Sequence, residues 1–171
     1  MNHVRDSSFP STVDAGRSVR GLPLVGLNVT TSPIDLTNTT VKRWIARVIV
    51  LTQACDLAQA RADRVLVARV HQAQQLVDEG ILKAAAICDQ VRRHQVFGRY
   101  FLPASSSSGV LLEALVDLRD MHSVPRAVLE ELIAQGKRVG TLLSPYREHL
   151  AQHFAVTYMR VALPEPYTTQ T

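Results

Sequence analysis

Cys55 and Asp56 stand just past a strongly apolar run, in Thr52-Gln53-Ala54-Cys55-Asp56. Polar side chains displayed at a strand end are often put there for function. A thiol in that place becomes a nucleophile when a base or a positive charge lowers its pKa. His71 closes the next apolar run and His122 lies in a later loop, so either imidazole could approach it. Cys55, Asp56 and His122 are therefore a candidate catalytic set. The same residues also fit a plainer account, with Cys55 a small buried hydrophobe and Asp56 a turn or cap residue.

Three further groupings carry chemistry. In Glu148-His149-Leu150-Ala151-Gln152-His153 two histidines share one helical face at i, i+4. The Glu precedes the first His, so the His-Glu-x-x-His order of metalloproteases is missing and no metal site is assigned. Asp117, Arg119, Asp120 and His122 form a dense polar end to a strand, suited to acid–base or phosphate chemistry or to a salt-bridged turn. Arg92, Arg93, His94 and Arg99 flank Phe97, Tyr100 and Phe101. Basic side chains between rings can hold phosphates while the rings stack on bases. Arg92, Arg93, Arg99 and Tyr100 are thus the candidate nucleic-acid contacts, although the rings also fit a core. No phosphate loop, dinucleotide glycine pattern or zinc-finger spacing is present, and no cofactor is expected.

The composition suits a binding protein. The 171 residues carry a net charge of +4 and give a pI near 9.4, which favours anionic partners. Only Lys42, Lys83 and Lys137 of the 19 cationic residues are lysine. Arginine's planar fork suits phosphate and carboxylate, but a GC-rich genome produces the same bias. Two cysteines, Cys55 and Cys88, are too few for a secreted disulfide scaffold. With no apolar leader and no long apolar run, the expected setting is cytoplasmic, with no membrane partner.

The elements that must position these residues follow from periodicity. Residues 1–22 read as a mobile leader, 23–163 as one domain and 164–171 as a disordered tail. Leu22 to Val29 suggests an edge strand or an extended arm, and Ser32-Pro33-Ile34-Asp35 a turn. Strands are expected over 47–52, 64–70, 95–102 and 111–118, with 138–143 as a last strand or a bridging segment. Helices are expected over 72–79, 81–93, 123–135 and 144–163. Residues 104–109 read as a flexible loop. Leu150, Phe154 and Tyr158 give the last helix its apolar stripe. Strands first and the longest helices last make an α+β class, a small, partly open SH3-like barrel or mixed sheet with peripheral and C-terminal helices.

Ser32-Pro33-Ile34-Asp35-Leu36, then Trp44 leading into Val48-Ile49-Val50-Leu51-Thr52, resembles the start of the MazF/PemK toxin barrel. Pro33 replaces that family's Gly, and its Arg-Pro before the strand is missing. The resemblance implies a bacterial SH3-like barrel, and the family's catalytic Arg and Thr match no position here. The strand-Thr-Gln-x-Cys-Asp-Leu run is also similar to a motif of uncharacterised bacterial proteins. The expectation is a non-catalytic binding module whose partner is RNA, DNA, a protein or another copy of itself. The alternative is an enzyme, either a toxin-like endoribonuclease or a hydrolase using Cys55.

Overall fold

The computed structural model describes residues 13, 15–28, 40–52, 57, 63–104 and 112–159. The class is α+β. Six strands form one antiparallel sheet: β1 (Arg17–Asn28), β2 (Thr40–Val50), β3 (Arg64–Gln72), β4 (Arg99–Leu102), β5 (Ala114–Pro125) and β6 (Arg138–Thr141). Their order is β4-β5-β3-β2-β1-β6. The sheet is open, with β4 and β6 at its edges, and every pairing is antiparallel rather than mixed. Among the described residues the helical elements are α1 (Ala73–Asp78), α2 (Ala84–Ala86) running into a π-helical turn (Ile87–Val91), α3 (Arg126–Ala134) and α4 (Tyr146–Tyr158).

Val48-Ile49-Val50 of β2 and Val65, Val67 and Ala68 of β3 are all buried, because both faces of the sheet are covered. On one face Val48, Val50, Val65, Val67 and Val124 pack with Leu129 of α3. Farther along that face Phe101 and Leu115 pack with Leu76 of α1 and with Ile87 and Val91 of the π-helical turn. The opposite face joins Ile49, Ala68, Tyr100, Leu102, Val116 and Leu118 to Leu150 of α4. Leu150 and Phe154 do anchor α4, but Tyr158 keeps 48 % of its surface exposed and instead donates its hydroxyl to the Leu118 carbonyl.

Several boundaries differ from the sequence reading. Arg17 to Leu22, assigned there to a leader, are the first half of β1. That strand is interior to the sheet, between β2 and β6. Ser123-Val124-Pro125 extend β5, opposite Leu66, Val65 and Arg64, rather than opening a helix. The strand expected from Gln95 begins at Arg99. Residues 1–12, 32–35, 105–109 and 164–171, within which a leader, turn, loop and tail were expected, lie outside the described residues. Among the described residues no helix is long and apolar enough to cross a membrane.

Candidate functional site, an arginine-lined cleft beside a bulge

Alternation along β3 places Arg69 and His71 on the face that buries Val65 and Val67. Pairing then carries one row across three strands: Arg69 lies opposite Asp117 of β5, and Asp117 lies opposite Arg99 of β4. An Arg-Asp-Arg row so sits between the two apolar cores of one face. Beside it the β3–β5 register jumps from Ala68↔Met121 to Arg69↔Asp117, leaving Leu118, Arg119 and Asp120 as a bulge. Bulges bend a strand and re-aim its side chains, and they are frequent beside functional sites. The result is a cleft of about 200 Å³ lined by His71, Arg99, Asp117, Arg119 and Asp120 over an apolar floor.

The hydrogen bonds decide which charges remain available. Asp117 accepts from the backbone N–H of Arg119 at 3.0 Å and from its Nε and Nη2 at 2.9 and 2.7 Å. Arg119 is thereby neutralised within the site. Asp120 accepts from Arg69 Nη1 at 3.4 Å and pairs its other oxygen with His122 Nε2 at 2.8 Å. Arg69 also lies 6.0 Å from the Trp44 ring centroid, and His122 meets that ring edge-on at 6.3 Å. Arg99 makes no hydrogen bond or ion pair through its side chain among the described residues. It is the cation of the row that no carboxylate binds directly, although the Asp117 charge lies near it.

Shifted titrations follow from this crowding. Burial lowers the Arg99 pKa most, nearby Arg119 lowers it further, and Asp117 opposes both. For Asp117, burial is the largest single influence and raises its pKa. The hydrogen bonds from Arg119, with the charges of Arg119 and Arg99, outweigh it and hold the carboxyl below its usual range. His71 is pushed down, first by burial and then by Arg69. Gly98, at φ +79°, lets the Arg119 stem cross the chain: a Cβ there would sit 2.9 Å from Arg119 Cγ.

The candidate nucleic-acid residues do not share one surface. Arg92 pairs with Glu113 and lies 5.2 Å from the Phe101 ring centroid, beside a separate groove that also holds Cys88. Arg93 is exposed, while Arg99 lines the cleft. Tyr100 is fully buried on the opposite face of the sheet and stacks on His94 at 4.5 Å, so its ring is not open to a base. Of the candidate catalytic set, His122 joins the cleft through Asp120; Cys55 and Asp56 lie outside the described residues. Thr52 Oγ1 accepts from the Leu66 N–H at 2.8 Å, which ties that end of β2 to β3.

No family model matches the chain, and no curated protein is similar to it. The geometry is therefore what distinguishes the candidates.

His149 and His153 belong to a second histidine grouping under α4. His94 lies 4.7 Å from His149 and 5.9 Å from His153 between ring centroids, and the Tyr100 hydroxyl is 3.2 Å from His149 Nδ1. No group of three or more ligating side chains among the described residues is arranged to hold a metal. Sequence reasoning passed over Arg69. Its signal was a charge at the place where the alternation of Val65 and Val67 calls for an apolar residue.

Proposed function

We propose that this protein is a binding module for a phosphate-bearing partner, and that the partner is a nucleic acid strand. The observation that carries the reading is Arg99: a partly desolvated guanidinium facing a cleft, with Asp117 already taken by Arg119. A charged hydrogen bond to a phosphate oxygen there would be worth about 1.5–3 kcal/mol. The net charge of +4 and the arginine-rich composition support the reading.

The test is a mobility shift with labelled RNA and DNA at low and moderate salt. Binding that weakens with salt is expected, since phosphate contacts release counterions. Arg99→Ala should weaken it about tenfold and reduce the salt slope by about one. Equal binding by Arg99→Ala and the parent chain would sink the cleft as the contact.

A second reading rests on the Asp120–His122 pair, whose 2.8 Å contact would orient an imidazole as a general base. In that reading the chain is an enzyme, either a hydrolase with Cys55 as nucleophile or, following the MazF/PemK resemblance and its SH3-like barrel, an endoribonuclease. Shortened RNA in the same assay would favour it, provided that His122→Ala stops the cleavage.

A further inference from the structure

We infer that the outer half of the β1–β2 ribbon is a docking strand for an extended, acidic and apolar segment of a partner protein. β2 pairs with β3 only from Arg47 to Val50, and β1 pairs with β6 only from Arg17 to Val19. Beyond those rungs the two strands pair with each other alone, from Leu22↔Ala46 to Asn28↔Thr40. Each therefore has one edge without a strand neighbour among the described residues. Such an edge displays backbone donors and acceptors ready for another chain.

The two ribbon faces differ. Leu22, Leu24 and Ala46 turn inward and are buried, and Trp44 lies across Gly26, where a Cβ would come within 2.7 Å of the ring. The other face sets Pro23, Val25 and Leu27 opposite Ile45, Arg43 and Val41. Val25 is 59 % exposed, Leu27 65 %, Val41 58 % and Ile45 69 %. Four large aliphatic side chains on one face, left in water, are the mark of an interaction surface.

Charge selects the occupant. The two strands hold five cations, Arg17, Arg20, Lys42, Arg43 and Arg47, and no carboxylate. Arg20, Lys42 and Arg43 are exposed. A second copy pairing along β2 would bring Lys42 and Arg43 against their own kind, which is destabilising. A nucleic acid would use the cations but leave the aliphatic row in water. A strand alternating apolar and acidic residues satisfies the edge, the row and the charge together. This surface is separate from the Arg99 cleft, so the inference stands apart from the nucleic-acid reading.

The experiment uses the full chain and a fluorescent seven-residue peptide of alternating valine and glutamate. Comparison peptides replace glutamate by lysine, or valine by serine. Anisotropy should show the acidic apolar peptide binding at least about tenfold more tightly than either comparison, a difference of about 1.4 kcal/mol. Ile45→Asp should abolish that preference, and Lys42→Glu with Arg43→Glu should transfer it to the lysine peptide. Circular dichroism should be unchanged, since these side chains are exposed. Arg99→Ala should bind the peptide like the parent chain. No binding of the acidic peptide, or equal binding of all three, overturns the inference. So does a dimer in sedimentation that Ile45→Asp dissolves, which would make the occupant a second copy. Binding of labelled duplex DNA that is lost with the two glutamate substitutions would assign the ribbon to nucleic acid and overturn it as well.

Discussion

Arg119 and Gly98 show how one small residue sets the chemistry of a larger one. The Arg119 stem passes over Gly98, whose φ of +79° and missing Cβ make room for it, and its guanidinium occupies both oxygens of Asp117. Gly98→Ala should therefore cost about 1–2 kcal/mol from the left-handed backbone alone, measured by urea unfolding. It should also displace Arg119 and release Asp117. Asp117 itself makes a pH prediction. Its folded pKa lies below the ordinary carboxylate value, so its stabilising contribution is complete above that ordinary value. It is lost as pH falls through the lowered one. Asp117→Asn should flatten the acid limb of a stability–pH curve, and an unchanged limb would show that the Arg119 contact contributes little.

Among the elements, α4 is expected to be held in a protonation-dependent way, because buried imidazoles lie at its contact with the sheet. Against α4 lie His94 from the loop after the π-helical turn and Tyr100 of β4, with His153 of the helix buried among them and the exposed His149 touching both rings. His94 Nδ1 and His153 Nε2 are buried with no hydrogen-bond partner among the described residues. Burial is the main influence lowering the pKa of both, and neighbouring histidines add to it. The Tyr100 hydroxyl, pushed up to about 12 by burial and by Tyr146, stays neutral. Glu148 is exposed and paired with Arg147, and no carboxylate enters the balance of His94 or His153. With folded values below 6.5, these imidazoles favour the folded state fully above about 6.5, and the benefit is lost as pH falls through the lowered values. Hydrogen-exchange protection of α4 amides should fall as pH drops below about 6.5, and His153→Leu should suppress that loss. Elsewhere, Leu129 is the buried anchor of α3, and Leu129→Ala should cost about 2–5 kcal/mol in chemical unfolding.

The described residues present a cleft that holds the Arg99 guanidinium, and a ribbon with an aliphatic face and edges that have no strand neighbour among those residues. Salt should tell them apart. Nucleic acid held in the cleft should release steeply between about 50 and 200 mM salt, whereas a peptide on the ribbon should lose less, because apolar burial is not screened. Calorimetric titrations at two salt concentrations measure both slopes, and equal slopes would remove the distinction.

Much of the fold was legible along the chain because its signals are local. The continuous apolar runs at 48–50 and 65–68 marked strands covered on both faces, and Gly80 and Gly136 marked helix stops. Leu150 and Phe154 at i, i+4 marked the buried side of the last helix. The polar cluster around Asp117 and Arg119 was visible as composition, and Arg99 was singled out, though for a different set of neighbours. What the sequence could not determine was which of these residues meet. The Arg69-Asp117-Arg99 row exists because three strands distant in sequence pair in one register, and a three-residue bulge shifts that register just beside it. Tyr100 and Arg99 are neighbours in sequence yet point to opposite faces of β4, so one is core and the other lines the cleft. The start of β1, read from the sequence as part of a leader, lies inside the sheet because β6 returns to pair with Arg17–Val19, whereas from Leu22 onward β1 pairs with β2 alone. Local periodicity is written in the side chains of a single segment; register, bulges and strand order arise from pairings between segments, and only the folded chain decides them.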